Sequence, residues 1–177
     1  MLHANEIGKG VIKMKKHVLS VLVENHSGVL SRVAGLFSRR GYNIDSLSVG
    51  ETEDSKISRM TIVTAADEST LEQIKKQLNK LIDVIKVIEL KEECAVYREL
   101  ALIKIAATKE NRAEIIEIAN IFRAHIVDVS NEAVIIEATG DQGKIEALSN
   151  MLKPYGIKEV VRTGLTALER GEKELKK

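Results

Sequence analysis

Asn25-His26-Ser27-Gly28 stands between two apolar runs, and Gly41-Tyr42-Asn43 follows the second of them. If the run beginning at Val29 is a helix, its first turn carries peptide N–H groups without intrahelical partners and a partial positive charge, a ready seat for a carboxylate. Gly28 has no Cβ, so the backbone from Ser27 to Leu30 stays approachable. Asn25 and Asn43 each offer an amide donor and an acceptor, which suits holding a carboxylate and an ammonium group together. The ligand this chemistry suits is a free amino acid. Turns and caps favour Asn, Ser and Gly for local reasons as well, so the spacing alone leaves a purely structural turn as the other reading.

Catalytic constellations are missing from the sequence. His3, His17, His26 and His125 are scattered, and neither HExxH nor GxSxG occurs. Gly8-Lys9-Gly10 is too short for a phosphate loop. Cys94 is the only cysteine, which rules out an internal disulfide and a cysteine metal cluster within one chain. Glu92-Glu93 is expected on a water-facing link, and Arg59, between Ser58 and Met60, on a strand. The expectation is a chain with no catalytic residue, no metal ligands and no cofactor of its own.

Composition narrows the class. The 177 residues suffice for two small domains, and 27 basic against 26 acidic side chains leave a formal charge of +1, with no electrostatic footprint for nucleic acid. No apolar run approaches the roughly 20 residues of a membrane span, and no leader pattern opens the chain, so a cytoplasmic protein is expected.

The hydrophobic periods supply the elements that would position the two asparagines. Residues 17–24 read as a strand, and Val29, Leu30, Val33, Leu36 and Phe37 recur at helical spacing, with Ser27 placed to cap and Gly41 to terminate. Residues 43–50 and 56–65 read as a hairpin. Ser69 and Glu72 form a capping-box pattern ahead of a helix carrying Leu71, Ile74, Leu78 and Leu81, and 84–90 form a fourth strand. This βαββαβ order then repeats: a strand at 100–107, a helix opened by Asn111 and Glu114, a hairpin, a helix ended by Pro154 and a last strand. A shift of 83 positions places strand 17–24 on 100–107. The fold class expected is α+β, two ferredoxin-like domains in tandem, each an antiparallel sheet with helices on one face. The boundaries expected are a loose extension over 1–15, a first domain over 16–91, a linker over 92–98, a second domain over 99–166 and a charged tail over 167–177, frayed helix from residue 169.

The copies differ at the turn. The second copy has Thr108-Lys109-Glu110-Asn111 where the first has Asn25 to Gly28, and Ile126 falls opposite Asn43. A turn built only to cap is expected there, which favours a binding role for the first.

ENHSGVLSRVAGLFSRRGYNIDSLSV, SRMTIVTAAD and LEQIKKQLNKLIDVIKVIEL together resemble the small regulatory subunit of acetolactate synthase (acetohydroxyacid synthase), and the ending VRTGLTALERGEK resembles that family's C-terminus. The resemblance implies an N-terminal ACT domain that binds an effector and dimerises, followed by an ACT-like domain. It implies feedback inhibition by valine, leucine or isoleucine in branched-chain amino acid biosynthesis. It also implies activation of a separate catalytic subunit, which carries thiamine diphosphate, Mg2+ and FAD. Carried over residue by residue, the contacts are Asn25 and Gly28 of one chain with Asn43 and Gly50 of its neighbour in a homodimer. The carboxylate would meet the N–H groups from Ser27 to Leu30 beside His26, and the side chain would enter a recess near Val29, Leu30 and Ile44. Family members often have alanine where Gly50 stands, and the glycine enlarges the expected pocket.

Two other classes share the pattern. A free-standing ACT sensor could regulate another enzyme. An RNA-binding module has the same element order but needs stacking aromatics on its central strands, and 17–24 and 56–65 contain none.

Overall fold

Seven successive residues of the first strand, His17 to Val23, are buried, because layers pack on both its faces; the segment therefore reads as a continuous apolar run instead of an alternating one. That strand is β1 (Lys15–Glu24) in a computed structural model that describes residues 14–175. After it come α1 (Val29–Arg39), β2 (Ser46–Glu51), β3 (Ile57–Ala66), α2 (Glu68–Leu78) and β4 (Val84–Leu90). They form an antiparallel sheet in the order β2-β3-β1-β4. The second unit repeats the plan with β5 (Ala95–Ala106), α3 (Arg112–Ile121), β6 (His125–Val129), β7 (Ala133–Gly140), α4 (Gln142–Leu152) and β8 (Ile157–Arg162). Its order is β6-β7-β5-β8. The chain is thus two ferredoxin-like α+β domains in tandem.

Each sheet buries one face under its two helices. In the first domain Leu19, Val21 and Val23 of β1 meet Val33 and Phe37 of α1 and Ile74 and Leu78 of α2. In the second, Ala101, Ile103 and Ile105 of β5 meet Ile115 and Ile118 of α3 and Ile145 and Leu148 of α4. The faces opposite the helices diverge. Val18, Val63 and Leu90 of the first sheet are covered by Ala95, Leu165 and Ala167, while in the second Leu102 and Val161 remain exposed.

Several boundaries differ from expectation, each for a physical reason. The residues expected as a linker form a single 3-10 turn, Glu92–Cys94, and the start of β5, because Ala95 to Arg98 find a partner strand. That partner, β9 (Thr166–Glu169), takes in the start of what was expected as a charged tail; its Leu168 pairs with Val96, and after it, where a frayed helix was expected from Glu169, no helix forms among the described residues. Of the expected N-terminal extension, 1–13 lie outside the described residues, and Lys15 already belongs to β1. The second strand begins at Ser46, not at residue 43, since only from Ser46 does it pair regularly with β3. Asp67, not Ser69, caps α2: its carboxylate accepts from the Thr70 N–H at 2.7 Å while Ser69 Oγ donates to that carboxylate. Gly41 does end α1, at φ +70°, and Arg123 takes the matching left-handed position after α3 at φ +50°.

The core arrangement makes a direct prediction. Phe37 is fully buried and meets Tyr42 edge-on at 6.2 Å between ring centroids, whereas Ile82 is 93% exposed. Phe37→Ala is expected to cost about 3–5 kcal/mol, and Ile82→Ala less than about 0.5 kcal/mol, as read from urea unfolding midpoints.

Candidate functional site

The turn between β1 and α1 is pinned from two sides by backbone bonds. Glu24 N–H donates to Asp83 O at 2.9 Å and Asn25 N–H to Lys56 O at 2.8 Å. The residue that opens α1 is Gly28, not Ser27; it sits at φ +87°, ψ −13°, a left-handed conformation that a Cβ would strain. No side chain caps the helix and no acidic residue lies in its first turn. Among the described residues, the N–H groups of Val29, Leu30 and Ser31 have no side-chain acceptor. The contrast is with α2 and α4, each capped by an aspartate, Asp67 and Asp141.

The second copy corrects one expectation. Asn111 does not cap α3; its Oδ1 accepts from Thr108 N–H at 2.8 Å inside the turn. Both first helices therefore start without a side-chain cap. What separates them is conformation and cover: Asn111 has φ −104°, and Arg112 Nη2 folds back to the carbonyls of Ser130 and Asn131 at 2.8 and 2.9 Å.

Residues that sequence reasoning did not single out enclose the first-copy corner. Arg32, one turn after Gly28, sets its guanidinium 3.4 Å from where a Gly28 Cβ would stand. It donates from Nε and Nη2 to both carboxylate oxygens of Asp83, at 2.6 and 3.1 Å. His26 Nε2 lies 3.1 Å from Asp83 and 3.4 Å from Glu24, and Nδ1 lies 3.1 Å from Ser27 O. Potential ligand atoms of Glu24, His26 and Asp83 fall within 4.8 Å of one another, but the Arg32 guanidinium already supplies the cation that buried Asp83 requires. Arg32 was visible only as the position four after Gly28, while Asp83 is 51 residues from Arg32 and left no local signal.

The expected site residues divide into two groups. Asn25, His26, Ser27, Gly28, Val29 and Leu30 adjoin one another. Val29 is buried in the core, and Leu30 is the exposed apolar side chain. The Asn25 amide donates to Glu51 Oε1 at 3.0 Å and Ser55 O at 2.8 Å, which places the end of β2, with Gly50, near the corner. Nothing lies within 4 Å of a Cβ built on Gly50. Asn43 and Ile44 lie elsewhere. The Asn43 carbonyl accepts from Thr64, which pairs with His17 at the opposite end of β1, roughly 26 Å from Asn25 within the same chain at about 3.3 Å per residue. The Asn43 amide meets Asp45 at 2.5 Å, and Ile44 packs half-buried on the core.

The first sheet's outer face is not open for stacking bases, since Val18 and Val63 are buried against Leu165 and Ala167, and Ser20 and Thr61 are buried as well. No helix among the described residues is long and apolar enough to cross a membrane.

The hydrogen bonds from Arg32 hold the Asp83 carboxyl below the usual carboxylate range against the opposing effect of desolvation. A depressed native value means that this carboxylate's contribution to stability is complete above its unfolded value of about 3.9 and is lost as pH falls through the native one. Asp83→Asn should lower the urea midpoint at pH 7. The gap to the native chain should hold down to about pH 5 and shrink below about 3.9; a gap that widens toward acid contradicts the pairing.

Two family models match the chain: an acetohydroxyacid synthase small-subunit-like ACT domain over residues 19–86, and the small subunit of acetolactate synthase over residues 98–171. The acetolactate synthase small subunit of Mycobacterium bovis is 57% identical over 157 residues, 89% of this chain and 94% of that protein. A probable acetolactate synthase small subunit of Archaeoglobus fulgidus is 57% identical over 159 residues, covering 90% and 99%. The crystal structure of the small subunit from Thermotoga maritima matches with a TM-score of 0.84 at 44% identity, covering 89% of this chain and 99% of that one. With its tandem domains and its uncapped first turn, this chain belongs to the acetolactate synthase small-subunit family.

Proposed function

We propose that the chain is a cytoplasmic regulatory subunit that raises the activity of a separate acetolactate synthase catalytic subunit and transmits feedback inhibition by a branched-chain amino acid. The single observation that carries this reading is the left-handed Gly28 opening α1 with no side-chain cap and no acidic first turn. Helix N–H groups left this way complement a carboxylate, and the Arg32 guanidinium beside Gly28 neutralises Asp83, so that this buried acid does not repel one. The donors of the Asn25 amide are engaged with Glu51 and Ser55, which leaves its carbonyl oxygen for an ammonium group.

The separation of the two asparagines along β1 is what favours a site between chains. β2 is an edge strand. Two such edges paired antiparallel about a two-fold axis set the start of one β2 beside the end of the other. That brings Asn43 of the partner subunit toward Gly50, Glu51 and Asn25, with exposed Leu30 and Ile44 of the partner subunit as apolar wall. Occupancy then depends on how the protomers sit, and a coupling of about 1–3 kcal/mol changes a partner's activity several-fold or more. Thiamine diphosphate, Mg2+ and FAD belong on the catalytic subunit in this reading, and the present chain does no chemistry itself.

Calorimetric titration of valine, leucine and isoleucine is the test. The native protein should bind at least one. Asn25→Ala and Gly28→Ala should each weaken binding tenfold or more, about 1.4 kcal/mol, with an unchanged circular dichroism spectrum; equal affinity in native and variant chains refutes the assignment. In parallel, the immobilised chain should retain a thiamine-diphosphate-dependent enzyme from extract and raise its acetolactate output. Retention of RNA or of an unrelated enzyme counts against the proposal.

A further inference from the structure

The segment leaving β8 crosses from the second domain and fastens to β2 of the first. Leu165 N–H donates to Ser46 Oγ at 2.9 Å, and Ser48 Oγ donates to Leu165 O at 2.5 Å, so two alternate side chains of one strand hold both backbone groups of a single residue. The Leu165 side chain is buried with Val18, Val63 and Leu90 of the first sheet. At Gly164 the two backbones touch: a Cβ there would run into the Leu47 carbonyl, so only glycine permits the contact. On the far side Thr163 is bonded to Leu100 through backbone and hydroxyl, and Arg162 pairs with Glu99. The segment is therefore continuous with the central strand of the second sheet.

This fastening sits between the two stretches assigned to the amino acid site: Asn43 and Ile44 precede β2, and Gly50 follows Ser48 within it. Within a protomer β2 has one strand neighbour, β3, and so is less constrained than β1 or β3 by its own sheet. A ligand that repositions either end of a six-residue strand must move the serines with it, and no compliant side chain lies between Gly164 and β2 to absorb the shift.

We infer that Ser46, Ser48 and Leu165 form the joint that passes occupancy of the effector corner to the second domain, with the serines acting as positioning residues for regulation and not as ligand contacts. The inference rests on the effector reading above. Coupling of two sites requires an element whose arrangement both of them bias, and the clamped strand is such an element.

Hydrogen exchange followed by mass spectrometry on the full chain, with and without saturating valine, tests it. In the native protein valine should slow exchange in peptides covering 157–169 by about fivefold or more. In Ser46→Ala/Ser48→Ala, valine affinity should stay within about twofold of native while that distant protection disappears. Gly164→Ala, which wedges the joint against the Leu47 carbonyl and the Ser48 backbone nitrogen while keeping both serine hydroxyls, should give the same result, with circular dichroism confirming that both variants fold. Undiminished protection of 157–169 in both variants overturns the joint alone. Absence of valine binding in the native chain overturns the effector reading and the joint together.

Discussion

A helix must do something with its first N–H groups, and α1 leaves them without a side-chain acceptor among the described residues. The backbone makes this possible by turning through Gly28 at φ +87°, where a serine or aspartate would otherwise present an oxygen to the first turn. The rest of the corner compensates for the exposed positive end. Asp83 is buried close by yet held by Arg32, so its charge is spent on the guanidinium and does not compete for the helix end. Backbone bonds from Glu24 and Asn25 to Asp83 and Lys56 keep the turn from collapsing onto the helix.

The duplicated plan has been put to two uses. Both domains bury one sheet face under two helices, and in both the first helix begins without a side-chain cap. In the second copy Arg112 reaches across the turn to the carbonyls of Ser130 and Asn131, and nothing like Gly28 opens the helix. The outer faces differ for a matching reason: the C-terminal segment of the second domain is spent covering the first sheet, while Leu102 and Val161 on the second sheet stay exposed among the described residues. Packing that looks merely structural thereby links the edge strand of the first domain to the central strand of the other.

Much of this was legible in the residues. Runs such as His17 to Val23 and the three-and-four spacing of Leu71, Ile74 and Leu78 each report a local environment, so the element order and the tandem repeat could be read directly, and the motifs of the first domain identified the family. What escaped was set by partners distant in sequence. β9 has only four residues, and Leu165 and Ala167 are buried because another domain offers Val18 and Val63, which no local period encodes. The choice of Asp67 over Ser69 as the cap of α2 was a competition between two good acceptors two residues apart, decided where the chain turns helical. The side-chain types of Asn25 and Asn43 alone suggested one grip, whereas the family resemblance put them on different chains; the ten residues of β1 hold them at opposite ends of the sheet.

That separation gives the central claim its sharpest consequence: a single protomer cannot complete the site. A crystal structure of the protein grown in saturating valine tests this most directly. The expected result is a dimer paired along β2, with the valine carboxylate on the N–H groups that follow Gly28 of one protomer and Asn43 of the partner subunit closing the other side. A corner that stays empty, or that is filled by a side chain of its own protomer, would contradict it.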